Sequence, residues 1–201
     1  MTTIIQPLID HFDSYLPLTE PEKQLLDGRV SQRTLRRRQA ILQAGFPCRH
    51  YSFVTAGCLR LFAVDQKGVE HNLQFAAYDD RPADRWMADI SSFHSGQPSQ
   101  LFIEAIEPSI ILQIEQQDLY FLYRNIPKLD RIFKVIVEDK FVDLQDRLLQ
   151  TISSTAQERY TAFLERYAAL AQRLPNTQIA SYLGITPEFL SKIRKDRMAH
   201  P

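Results

Sequence analysis

The chain has 201 residues, 44% of them hydrophobic, which is enough for one large domain or two small ones and too apolar for a disordered chain. Lysine plus arginine and aspartate plus glutamate balance at 24 each, so no global charge draws it to nucleic acid. Its two cysteines, Cys48 and Cys58, are too few for a disulfide framework or an iron–sulfur cluster and match no common metal spacing, so they read as small buried hydrophobes.

No apolar run approaches membrane-spanning length and no basic-then-apolar leader stands at the start, so a cytoplasmic protein is expected. Residues 2–28 read as short helices. Pro7 opens one whose face is Leu8, Ile9, Phe12 and Tyr15. Thr19, Pro21 and Glu22 cap and start a second.

From Val30 the texture changes to strands. Ser31 to Arg38 carries Arg33, Arg36, Arg37 and Arg38, either a surface for an anion or an exposed strand edge blunted by charge, and the edge is favoured. Ala40 to Leu42 continues that strand, and Ala44 to Pro47 turns. Further strands follow at Tyr51 to Ala56, Leu59 to Val64, Glu70 to Phe75, Ile103 to Ile106 and Ile110 to Ile114, with turns at Gly57 and at Asp65 to Gly68. Short strands at this spacing suggest a compact antiparallel barrel or double-sheet roll.

Between them, Ala76 to Gln100 reads as irregular. Asp79, Asp80, Arg81, Asp84, Arg85, Trp86 and Asp89 make it the one loop dense enough in polar and aromatic groups to be a ligand site. Aspartates this close suit a cation, but the interleaved arginines favour internal ion pairs.

Helix returns near Gln116, and Pro127 starts a long helix running to about Ser153. Its apolar positions, among them Ile132, Phe133, Ile136, Phe141, Leu144 and Leu148, recur every three or four residues. Such a seam needs a partner, and a two-fold copy of itself is favoured over a place across the roll. Ser154 or Thr155 caps a last long helix, Thr155 to Leu174.

Thr177 to Lys195 then reads as a helix-turn-helix. Ile179, Ala180 and Leu183 give the first helix an apolar face, and Gly184 ends it. Thr186 and Pro187 start the second helix, whose Leu190 and Ile193 face back. Its outer side carries Glu188, Ser191, Lys192 and Lys195, with Arg194 and Arg197 beside them. A carboxylate accepts from cytosine, lysine donates to guanine, and flanking cations suit phosphates, so the expected partner is double-stranded DNA. Phe189 either packs inward or touches a thymine methyl, and packing is favoured.

The order of roll, long helix and helix-turn-helix resembles the Crp/Fnr family of transcription regulators. The resemblance covers nearly the whole chain. It is carried by Phe53 to Phe75, with a glycine before a strand and Gly-x-Glu after it, by Ser154 to Leu164, and by the helix-turn-helix ending in Ser191 to Lys195. It implies an α+β fold: a cyclic-nucleotide-binding-like β-roll with flanking helices over 1–126, a dimerisation helix over 127–153, and a DNA-binding domain over 154–201. It further implies a homodimer on a two-fold operator, able to recruit RNA polymerase, with a small-molecule effector as a possible partner. Thr177, Thr186, Pro187, Glu188, Ser191, Lys192, Arg194 and Lys195 are then the DNA-facing residues, of which Pro187, Glu188 and Lys192 fall on the family's base-reading positions.

Nucleotide-binding members carry a Gly-Glu pair and, about ten residues on, an arginine followed by a small residue. Here the alignment places Ala88-Asp89 at the pair and Ser99-Gln100 at the arginine. A phosphate without a cation is costly, so the roll is expected not to bind cyclic AMP, and Arg81 and Arg85 are the candidate replacements near Trp86. No β-wing precedes the second helix, and the DNA-binding unit reads as minimal. The other class of reading is a ligand-binding or interaction roll whose C-terminal helices touch only protein. His11, His50, His71, His94 and His200 are scattered, with no catalytic set, phosphate loop or metal spacing, so neither an enzyme nor a cofactor is expected.

Overall fold

The computed structural model describes residues 4–78 and 82–199, leaving aside the side chains at 82, 83, 198 and 199. It divides into two compact units: Met1–Leu61 with Phe75–Lys140, and Phe62–Gln74 with Phe141–Pro201. Among the described residues no helix is long and apolar enough to cross a membrane.

In unit 1, helix α1 (Gln6–Asp13) starts on Pro7 and buries Leu8, Ile9 and Phe12. Helix α2 (Glu20–Asp27) begins at Thr19, whose N–H donates to Glu22 Oε2 at 2.7 Å, so an otherwise unpaired donor at the helix start is satisfied. Strands β1 (Val30–Leu35) and β2 (Ala40–Leu42) are separate, because Arg38 takes a left-handed φ of 63° and the chain turns between them. The expected single strand is corrected there: β1 joins one sheet and β2 the other. Strands β3 (His50–Ala56), β4 (Cys58–Val64) and β5 (Glu70–Ala77) follow, with β4 and β5 reaching into unit 2 at their hairpin end. Gly57, at φ 82°, joins β3 to β4; a Cβ there would lie 2.5 Å from the Pro108 carbonyl oxygen, so only glycine fits.

The stretch expected to be irregular is more ordered than its composition suggests. A 3₁₀ turn (Pro82–Arg85) leads into β6 (Trp86–Met87) and helix α3 (Ile90–Ser95). Strands β7 (Phe102–Ala105) and β8 (Ser109–Glu115) then complete two antiparallel sheets, ordered β1-β8-β3-β6 and β2-β7-β4-β5. With β1 at an edge, exposed Arg33 sits on the outside of the roll, as the edge reading expects.

Helix α4 (Gln116–Asn125) precedes α5 (Pro127–Ser153). The first turns of α5 are consumed in the core: Leu129, Ile132, Phe133 and Ile136 are all buried there with Phe12, Phe53 and Trp86. Each such side chain contributes about 1.5–3 kcal/mol by leaving water. Ile132, Phe133 and Ile136, expected on a dimer seam, are therefore corrected to core positions. In unit 2 the remainder of α5 leaves Phe141, Leu144 and Leu148 at 59%, 61% and 59% exposure. The helix after it breaks at Tyr167 into α6 (Ala156–Arg166) and α7 (Ala168–Arg173), rather than running on to Leu174. Thr155 is the cap, accepting from the Glu158 N–H at 3.3 Å. Helices α8 (Asn176–Leu183) and α9 (Pro187–Ala199) end the chain's described part.

Candidate nucleic-acid interface and sensor roll

The turn between α8 and α9 is set by local chemistry. Gly184 takes φ 67°, and the N–H groups of Gly184 and Ile185 bond to the carbonyls of Ser181 and Ala180 at 3.3 and 3.0 Å. These are the paired bonds of a Schellman ending, which satisfies carbonyls that the helix itself leaves open. Thr186 Oγ1 accepts from the Phe189 N–H at 3.2 Å and so caps α9. Ile179, Ala180 and Leu183 of α8 and Leu190 and Ile193 of α9 are all buried.

That burial leaves one side of α9 open. Glu188, Ser191, Lys192 and Lys195 are exposed, as are Thr186 at the cap and Thr177 on α8, while Pro187 is half-buried. Two expectations are corrected. Phe189 is 46% exposed and stands on the outer side, because Leu190 and Ile193 already fill the inward positions. Arg194 is no free phosphate contact: its Nε donates to Tyr160 Oη at 2.9 Å and Nη1 donates to Asn176 Oδ1, tying α9 to α6 and α8.

A polar latch holds α8 within unit 2. Asn72 Nδ2 donates to the Gln178 carbonyl at 2.9 Å, its N–H donates to Ser181 Oγ at 3.0 Å, and Arg147 Nη2 donates to the Asn72 and Tyr182 carbonyls at 2.8 Å each. The Arg147 guanidinium also lies 3.9 Å over the Tyr182 ring. Sequence reasoning missed Asn72, Arg147, Gln178 and Ser181. Asn72 and Ser181 are 109 positions apart, and no local pattern announces such a pair.

In unit 1, Asp89 and Ser99 do meet. Ser99 Oγ donates to Asp89 Oδ2 at 2.6 Å and accepts from the Leu101 N–H at 2.9 Å, while Asp89 Oδ1 accepts from the Ser92 N–H at 3.3 Å at the start of α3. Both residues are buried, and Gln100 beside them is exposed. Trp86 is corrected from a loop residue to a core one: it is 2% exposed and its Nε1–H donates to His11 Nε2 at 2.8 Å. Arg85 is half-buried between the rings of Phe53 and Tyr78, at 4.2 and 4.5 Å, and its Nε donates to the Val54 carbonyl at 3.0 Å. Arg81 lies outside the described residues. Asp84 pairs with Lys140 of α5, at 2.6 Å. Burial pushes the Cys48 thiol up and lowers His11 to about 4, the latter with help from the Arg85 charge.

No protein-family model matches the chain. Among curated proteins it is similar to the regulatory protein HlyX of Actinobacillus pleuropneumoniae, 27% identical over 192 residues that make up 89% of this chain and 77% of HlyX. Among solved structures it is similar to FixK2 of Bradyrhizobium japonicum, with a TM-score of 0.71 at 19% identity over 85% of each chain. A Crp/Fnr-family transcriptional regulator from Eubacterium rectale matches with a TM-score of 0.70 at 15% identity, over 94% of this chain and 88% of that one.

The curated relative is a regulatory protein, and the chain shares its fold with Crp/Fnr-family regulators. The relatives named are regulators rather than enzymes. In the roll the Asp89–Ser99 hydrogen bond occupies the two positions that the resemblance aligns with a nucleotide-binding glutamate and arginine. Each polar group there already has a partner within the chain.

Proposed function

We propose that this chain binds duplex DNA as a homodimer, reading base edges with α9. The observation that carries the reading is the open polar side of α9, Glu188, Ser191, Lys192 and Lys195, on a helix whose opposite side is fixed by buried Leu190 and Ile193. An interaction module would present an apolar outer side, and among the described residues of α9 Phe189 is the one exposed large apolar side chain. Thr177, Thr186 and Lys195 are the positioning contacts, and Lys192 and Glu188 the base readers.

The homodimer forms through the second half of α5, where Phe141, Leu144 and Leu148 stand exposed and Leu149 and Ile152 widen the apolar area. Recruitment of RNA polymerase, a cytoplasmic location and the division into roll, dimerisation helix and DNA-binding domain belong to the same reading. The roll does not bind cyclic AMP, because Ser99 offers no charge to a phosphate and is spent on Asp89.

Selection of sites from random duplex DNA by the purified chain tests this. A palindrome with half-sites about one helical turn apart is the expected result, and absence of any enrichment overturns it. Lys192→Ala is expected to lose about 1–3 kcal/mol of discrimination at one base position while binding elsewhere persists. An unchanged selected sequence removes Lys192 from the reading set.

A further inference from the structure

A cleft in unit 1, apart from the Asp89–Ser99 pair, has a volume of about 480 Å³ and is lined by α1 on one side and by Tyr78 and Arg85 on the other. That is within the size range of small-molecule sites. Two residues in its wall carry buried donors with no acceptor. His11 is 4% exposed, and its Nε2 accepts from Trp86. A neutral ring that accepts at Nε2 carries its proton on Nδ1, and Nδ1 has no hydrogen-bond partner. Arg85 uses Nε on the Val54 carbonyl, and its Nη2 is likewise buried without a partner. Among the described residues no carboxylate pairs with Arg85, and Asp10 at the rim is engaged by the Gln6 amide at 2.7 Å.

Buried donors are costly to leave unpaired, and a half-buried guanidinium without a counter-ion more so. We propose that this cleft binds a small organic carboxylate, which accepts from Arg85 and from His11 Nδ1–H. One positive charge beside one neutral donor matches a monoanion with planar oxygens. A phosphate dianion would bring twice the charge. The rings of Phe53 and Tyr78, which sandwich Arg85, hold the guanidinium in place and favour a carboxylate with an apolar body. The site is separate from the surface proposed to read DNA, so its failure leaves that reading standing.

Trp86, the chain's one tryptophan, reports on the cleft through its bond to His11. Titration of the full chain with sodium benzoate, followed by tryptophan fluorescence and by thermal melting, is expected to saturate and to raise the melting temperature. Sodium phosphate and sodium chloride at matched ionic strength are expected to do neither. Arg85→Met, which keeps an apolar stem between the two rings, is expected to weaken benzoate at least tenfold, and Arg85→Lys to weaken it less. A non-saturating response of the unaltered protein to benzoate, or an equal response to phosphate or chloride, overturns the proposal without recourse to any variant. Unchanged benzoate affinity in Arg85→Met does so as well.

Discussion

Two buried polar clusters of unit 1, around Asp89 and around Arg85, differ in one respect. Around Asp89 every donor meets an acceptor: the Ser92 N–H and the Ser99 hydroxyl both reach the carboxylate, and Ser99 in turn accepts from Leu101. Around Arg85 the count does not close among the described residues, since His11 Nδ1 and Arg85 Nη2 face no acceptor there. A closed cluster stabilises the fold and has nothing left to offer a ligand. An open one lowers stability and keeps its hydrogen-bonding capacity for something else. In this chain the position that the family resemblance marks for a ligand is the closed one, and the open cluster lies at α1.

The largest expected contrast between the clusters is in acid. His11 titrates at about 4 in the folded chain against 6.5 as a free side chain, because burial and the Arg85 charge both disfavour its protonated form. Between those values the unfolded chain binds more protons than the folded one, so stability falls as pH drops from 6.5 towards 4 and the effect is complete below 4. The full difference is about 3 kcal/mol. His11→Phe is expected to flatten that part of the stability–pH curve, while leaving the Trp86 N–H unpaired and so lowering stability at pH 7. Urea denaturation across the pH range checks both. An unchanged acid slope in the variant would show that the open cluster is not the source.

The closed cluster is expected to respond to Asp89→Ala. The substitution removes the start of α3 and leaves the Ser92 and Ser99 donors without acceptors, at a cost of about 2 kcal/mol. Asp89→Asn keeps the shape and one oxygen and is expected to cost less. Equal losses in the two variants, read by urea denaturation, would mean that the carboxylate charge rather than its geometry closes the cluster.

The contrast between the clusters was only half legible in the chain. Elements with a local signature were readable: Pro127 and the spacing after it mark α5, Thr19 and Glu22 the start of α2, and Gly184 and Thr186 the turn before α9. The ten-residue interval from Asp89 to Ser99 came from the family resemblance, and helix α3 with its closing turn brings its two ends together. The long helix shows where such reading stops. Ile132, Phe133 and Ile136 repeat with the same period as Phe141, Leu144 and Leu148, yet the first three are buried in the roll and the others are exposed. Periodicity fixes which side of a helix is apolar and says nothing of what covers it. Trp86 was misplaced for the same reason: its partner, His11, is 75 positions away. Arg194 looked free because Tyr160 and Asn176 reach it only after the helices pack.

The smallest expected effect is at Ser99, and it decides whether the closed cluster is closed by its own bonds. Ser99→Ala removes the hydroxyl that donates to Asp89 Oδ2 and accepts from Leu101. The other carboxylate oxygen keeps the Ser92 N–H, and Leu101 is only half-buried, so water replaces part of what is lost. A cost of about 1 kcal/mol in urea denaturation is expected, below that of Asp89→Ala because a single bond to the carboxylate is deleted and the cap remains. A cost of zero would mean that the Asp89 oxygen facing Ser99 is satisfied from outside the chain. The two clusters would then be alike, each with capacity left for a ligand, and the Asp89 position would have to be tested with benzoate and cyclic AMP alongside the cleft at Arg85.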